Sequence, residues 1–400
     1  HQPCAAARPY ATTVSDEALQ ARLHPEPRFP PSEIASLLDH HPTHNLAEST
    51  SLDLSLAELL DTGTIESLRG VEMGYGTAAG DPEFRALIGS SLGVDAEQVL
   101  ITQGAIHALF LVAIERCRGP QDEAIILRPS FPPALDTLRA CHATIHAVPL
   151  RFSGGYRLEF DAIERTLSSR TRIVSLATPQ NPSGVRFDRE EIAQLTGLIE
   201  RRAPQATLIV DETYREAAYE GEPPGSVAPL DPRIVVTGSV SKAHGAPALR
   251  TGWLATRDDT LLERCARGKF NTVSCAPTVD ERLALRVVQR APDFLGARRR
   301  LLAENLRTVE AFAAANAHLV EWVKPGGGGL SCFRMRNDAI TDPGCFFDSL
   351  GGWDLAVAPG RWFGDEPRVF RVGFGSMPSD ALHEALAVLG SALEAAAARS

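Results

Sequence analysis

Five short apolar runs, each separated from the next by an amphipathic stretch, constrain this chain more than any other feature. They are Val99-Leu100-Ile101, Ala124-Ile125-Ile126-Leu127, Ile173-Val174-Ser175-Leu176, Thr207-Leu208-Ile209-Val210 and Ile234-Val235-Val236. Runs this short and apolar on both faces read as buried parallel strands, with crossover helices between them. The alternation, from about 80 to 290, predicts an α/β fold with a doubly wound, mostly parallel sheet. The runs at 125, 174, 209 and 235 end in polar or Gly/Pro-rich segments. Ligands of open α/β sheets bind at those carboxyl ends. After about 295 the pattern changes. An Arg-rich helical stretch, 297–316, leads to strand-like segments at 330–334 and 369–374, and a last amphipathic helix covers 379–398. This second part reads as a smaller α+β domain. Residues before about 45 are rich in Pro and His and lack periodicity, as in a mobile arm or a segment that orders over a site.

The bulk numbers exclude several function classes. At 400 residues the chain suits two domains in close contact, and 44% apolar with 22% charged residues is usual for a soluble globular protein. A formal net charge of −10 argues against a nucleic-acid partner. No stretch approaches the roughly 20 apolar residues of a membrane span. No secretory signal is evident. The seven cysteines are odd in number and scattered, without a close Cys/His ligand pattern, so neither a metal site nor a disulfide framework is expected. A reducing cytoplasm is the natural setting. His40, His41 and His44 match a metal cluster in composition, but histidines of a flexible arm are commoner.

Lysine use then singles out one residue. Only three lysines stand among the 40 Lys and Arg residues, and one is Lys242, in Ser239-Val240-Ser241-Lys242. A guanidinium does not normally lose its proton, whereas a lysine amine can, and it can then form a Schiff base with an aldehyde. Taken alone, Lys242 reads as a surface lysine. Four further segments change that reading. Gln103-Gly104-Ala105-Ile106 follows a strand and opens an apolar helix, where backbone N–H groups can approach a phosphate. Pro129-Ser130-Phe131-Pro132 offers a rigid aromatic face or plain core packing. Pro179-Gln180-Asn181-Pro182-Ser183-Gly184 fixes a loop and leaves the Asn181 amide free to donate or accept. Asp211-Glu212-Thr213-Tyr214 puts a carboxylate at a strand end with a phenol three residues on. A helix N-cap by Asp211 is the alternative there.

Together these segments resemble the class I/II aminotransferases, the fold-type-I enzymes dependent on pyridoxal 5′-phosphate (PLP). The resemblance runs from about Tyr75 to Phe374. Its motifs are Tyr75 with Gly80, Gly104-Ala105, Asn181-Pro182-x-Gly184, Asp211-x-x-Tyr214, Ser239-x-Ser241-Lys242, Arg250-x-Gly252 and Arg371. It implies that Lys242 holds PLP and shuttles the substrate's α-proton, and that Asp211 pairs with the ring nitrogen. Asn181 and Tyr214 would bond the ring's phenolic oxygen, and Phe131 would stack on the ring. Gly104, the amides of Ala105 and Ile106, Ser239 and Arg250 would form the phosphate site. Tyr75 would reach the phosphate of a neighbouring subunit in a homodimer. Arg371, with Asn181 and Ala47, would bind the substrate, Arg371 gripping its α-carboxylate with two prongs. The implied partners are an amino acid and a 2-oxo acid. The implied domains are 1–50 (arm and part of the small domain), 51–295 (PLP-binding) and 296–400 (small domain).

The chain departs from the pattern in places. Ala246-Pro247-Ala248-Leu249 precedes Arg250 where relatives often have Pro-Gly. His244, two residues after the lysine, reads as a structural histidine before a second proton carrier. Asn45-Leu46-Ala47-Glu48-Ser49-Thr50 replaces a glycine-rich turn, and Glu48 reads first as a solvated carboxylate, second as a receiver for a cationic or hydroxylated side chain. The favoured function is amino transfer, in biosynthetic or specialised metabolism. The alternative is a PLP-dependent oxidase, eliminase or cyclase acting on an arginine-like amino acid. A regulatory domain that only binds PLP is disfavoured, since every catalytic position is filled and no basic helix-turn-helix segment precedes it.

Overall fold

The apolar runs assemble into a seven-stranded sheet in a computed structural model that describes residues 27–219 and 221–399. Along the sheet the strands run Val99–Thr102, Gly252–Thr256, Ile234–Ser239, Thr207–Asp211, Thr171–Ala177, Glu123–Arg128 and Thr144–Pro149. Gly252–Thr256 is antiparallel to both neighbours, and every other pairing is parallel. Val99–Thr102 and Ile234–Ser239 are buried along their whole length, which is why they read as unbroken apolar runs. Helices connect the strands. Arg189–Arg202 starts at a capping box, in which Asp188 accepts from the Glu191 N–H at 2.8 Å and Glu191 accepts from the Asp188 N–H at 2.9 Å. Among the described residues no helix is long and apolar enough to cross a membrane.

A second, four-stranded antiparallel sheet has the order Ala358–Pro359, Val369–Gly373, Leu330–Met335, Val320–Val323. Its core is aromatic: Phe333 stacks on Phe370 at 5.7 Å and on Trp322 at 6.0 Å. The helix leading into it is longer than the sequence predicts. It spans Thr278–Ala315 and passes through Pro292. A proline reads as a stop, but neighbouring packing holds the helix across it. Buried Asn305 on this helix donates to the Phe374 carbonyl at 2.8 Å and accepts from Ser379 at 2.8 Å, tying the helix to both ends of the following connection.

Lys269 is fully buried in the helix Asp259–Val273. Its Nζ donates to the Ala78 carbonyl at 2.6 Å, and Glu281 accepts from the Asp81 N–H at 2.8 Å, so the two side chains clasp the loop after Tyr75. Burial pushes the Lys269 ammonium down to about 8 from its ordinary 10.5, against the attraction of Glu281. Between those values the unfolded chain keeps a proton that the folded one has lost, so stability rises with pH. The wild type should therefore gain up to about 3 kcal/mol on Lys269→Met as pH climbs from 8 to 10.5, at about 1.4 kcal/mol per pKa unit. Denaturant unfolding of both proteins across that range checks this. Parallel curves would contradict it.

Candidate active site

Five strand ends of the large sheet and one strand of the small sheet converge on one place. The strand Ile234–Ser239 delivers Lys242 through a tight turn, in which the Gly245 N–H donates to the Lys242 carbonyl at 3.1 Å. The Lys242 Nζ donates to Ser49 Oγ at 3.0 Å and lies 3.9 Å from Glu48 Oε1. The stretch that carries Ser49 also binds the lysine's backbone: the Ser51 N–H donates to the Lys242 carbonyl at 3.1 Å, and the Leu54 N–H to the Gly245 carbonyl at 2.7 Å.

The same stretch reaches the small sheet. Arg371 is 1% exposed, its guanidinium 4.9 Å from the centre of the Phe363 ring. Nη1 donates to Asn181 Oδ1 at 2.8 Å and Nη2 to the Ala47 carbonyl. Its Nε has no partner among the described residues. The Gly373 N–H donates to the Leu46 carbonyl at 2.7 Å. A Cβ at Gly373 would stand 1.6 Å from the Glu48 carbonyl oxygen, so only glycine lets the stretch lie this close. Glu48 is therefore not the solvated carboxylate the sequence suggests. Its side chain is 32% exposed and accepts from the N–H groups of Ser49 at 2.6 Å and Thr50 at 2.9 Å. Although burial pushes the carboxyl up, Lys242 first and these N–H bonds next leave it below its usual range.

Asp211 ends the strand Thr207–Asp211, and burial pushes its carboxyl up. Thr213 opposes this, donating to Oδ1 from its hydroxyl at 2.6 Å and its N–H at 3.0 Å. Tyr214 is 5% exposed, and its hydroxyl has no partner among the described residues. Opposite, the helix Gly104–Arg116 opens with Gly104, Ala105 and the exposed Ile106. Arg250, in a left-handed conformation (φ 45°), sets Nη2 2.8 Å from where a Cβ on Gly104 would stand. Its Nη1 lies 3.5 Å from Ser241 Oγ, and the Ser241 N–H donates to Ser239 Oγ at 3.3 Å. A helix N-terminus, a guanidinium and two hydroxyls thus form a cup that can hold a phosphate. Phe131 caps the helix Pro132–Ala140 at the end of Glu123–Arg128 and is half-buried. Tyr75 stands apart, 93% exposed.

His244 is buried against Phe294, rings 6.5 Å apart and edge to face. Burial, then the charges of Arg298, Arg215 and Arg299, pushes it down to about 4, so it is neutral near pH 7. His40, His41 and His44 do not gather a site: among the described residues no group of three or more His, Cys, Asp or Glu could hold a metal ion. Sequence reasoning missed Ser49. A serine four residues into an irregular stretch carries no signal of its own.

The model of the family "Aminotransferase class I and II" matches residues 44–389. The chain belongs to that family. It is a PLP-dependent enzyme that moves an amino group between an amino acid and a 2-oxo acid. It is 30% identical over 320 residues to capreomycidine synthase of Streptomyces vinaceus, 80% of each chain. It is 33% identical over 167 residues to the arginine–pyruvate transaminase of Pseudomonas aeruginosa, 41% of this chain and 42% of that one. A PLP-dependent aminotransferase of Streptococcus suis shares the fold at TM-score 0.83 and 22% identity, covering 92% of this chain and 98% of that one. The residues present fit the cofactor. Among the described residues the buried Asp211 carboxyl has no cation acting on it beyond Lys242 and the Tyr214 hydroxyl has no partner, and the cup at Gly104 faces a guanidinium.

Gly373→Ala tests the close approach. Its methyl must displace backbone, an overpacking cost of about 1–3 kcal/mol. Unfolding should show that loss, and hydrogen exchange should speed up at the Ser51 N–H that bonds Lys242. Unchanged exchange at Ser51 would show that the stretch is held independently.

Proposed function

We propose that Lys242, Asp211 and Tyr214 carry out amino transfer between an α-amino acid and a 2-oxo acid, with Arg371, Asn181 and Ala47 binding the substrate. The observation that carries this reading is that one stretch, 46–51, holds the Lys242 amine and the Arg371 guanidinium at the same site. Bound PLP supplies an aldehyde for amines and a cationic ring that draws electrons from the α-carbon. Lys242 would hold it through Nζ, and its amine would carry the proton to and from the α-carbon. Asp211 would hold a proton at the ring nitrogen. Asn181 and Tyr214 would orient the phenolic oxygen. Gly104, Ala105, Ile106, Ser239 and Arg250 would hold the phosphate, and Phe131 would stack on the ring. Arg371 presents its fork to the α-carboxylate.

The division into 1–50, 51–295 and 296–400 is part of the same proposal, with the helix Thr278–Ala315 spanning the second boundary. So is a homodimer with shared sites, supported by exposed Met73 and Tyr75 (88% and 93%) on one loop. A cytoplasmic setting suits the scattered cysteines, and the role is biosynthetic or specialised metabolism. A second reading, a cyclase, oxidase or eliminase acting on an arginine-like amino acid, is favoured by the 30% identity with capreomycidine synthase.

An amino acid alone should bleach the absorbance of the PLP-loaded enzyme, and a 2-oxo acid should restore it. Recovery without a 2-oxo acid would support the second reading against the first. Arg371→Lys should weaken amino-acid binding by about 1.5–3 kcal/mol, since an ammonium lacks the planar fork, while PLP affinity barely changes. Equal amino-acid affinity would put the carboxylate elsewhere. Sedimentation should give twice the 43.0 kDa chain mass, and an active monomer would contradict the shared site.

A further inference from the structure

Glu48 is a carboxylate at the reacting lysine that the amino-transfer steps above leave unused. Two backbone N–H groups fix its Oε1, 3.9 Å from Lys242 Nζ. No described residue donates to its Oε2. Two cations act on it, Lys242 and Arg371. Arg371 is already committed to Asn181 and the Ala47 carbonyl, and to the substrate's carboxylate in the reading above. Asp53 adds a second negative charge nearby, and Glu48 is one cause of its raised carboxyl, after burial. Two cations ease Asp53, Arg298 and then Lys242, and Arg298 donates to the Leu52 carbonyl.

In the cofactor-free protein the Lys242 ammonium balances Glu48. An amine that holds the cofactor is no longer a free ammonium, and a half-buried carboxylate left without a counter-charge is costly. The place beside Glu48 then favours a cation brought in from outside. Glu48 directly follows Ala47, whose carbonyl holds Arg371. Arg371 is near enough to lower the Glu48 carboxyl, so a substrate with its α-carboxylate on Arg371 lies within reach of Glu48.

We propose that Glu48 selects amino acids whose side chain ends in a cation, a guanidinium or an ammonium, which meets the Oε2 to which no described residue donates. This rests on the assignment of Lys242 to PLP and Arg371 to the carboxylate. It goes beyond that assignment in naming the substrate class and the residue that reads it.

The test uses two unreactive ligands on the PLP-loaded enzyme, δ-guanidinovalerate and δ-ureidovalerate. They share a shape and a carboxylate and lack the α-amine, but only the first is a cation. Calorimetry should show the guanidino acid binding at least about tenfold tighter, as expected for a hydrogen bond to a charged group. Glu48→Gln should bring the ratio near one, and Glu48→Asp should keep part of it. A ratio near one in the wild type, or a ratio that survives Glu48→Gln, overturns the proposal. A stretch merely disturbed by the substitution would weaken both ligands together and leave the ratio standing. Because binding is read without turnover, a charge-dependent ratio in an enzyme that transfers no amino group would sink the amino-transfer reading and leave this one intact.

Discussion

The buried Arg371 guanidinium is the contact on which the rest of the site depends. Taking a guanidinium out of water costs several kcal/mol unless hydrogen bonds replace the lost solvent. Here the replacements are the Asn181 amide of the large sheet and the Ala47 carbonyl of the stretch between the sheets. Satisfying one charge therefore joins three parts of the chain. Gly373 on the same strand admits the stretch, the Leu46 carbonyl accepts from it, and two residues beyond Ala47 the Ser49 hydroxyl meets Lys242. Losing any of these would leave a buried donor or acceptor unpaired, which costs more than the bond itself contributes.

The site also stores unmet demand. Among the described residues Asp211 is buried with no cation acting on it beyond Lys242, and the Tyr214 hydroxyl and the Arg371 Nε have no partner, all unfavourable in a protein built only for stability. Each matches a group that a phosphopyridine aldehyde or an amino-acid carboxylate would supply. Binding is then strengthened because the protein has already oriented these groups.

Much of this was legible in the sequence, for a physical reason. Motifs at the carboxyl ends of buried strands are local, so Asn181, Asp211, Lys242 and Arg250 announce themselves by residue type and spacing. The strands Thr144–Pro149 and Gly252–Thr256 were not legible. The first is a half-exposed edge, and the second is short and coincides with a glycine-bearing motif. The helix from Thr278 was hidden by Pro292, which only surrounding packing can override. Glu48 and Ser49 are not legible because their stretch is placed by its close approach to Gly373, more than three hundred residues away in sequence. No local pattern carries that information.

The central claim is that Lys242 holds the cofactor at the point where this stretch meets it. Borohydride reduction of the PLP-loaded protein, followed by peptide mapping, tests it most directly. A single labelled peptide containing Lys242 is expected, absent from Lys242→Ala. A label on Lys269 or Lys324, or one that persists in Lys242→Ala, would contradict it.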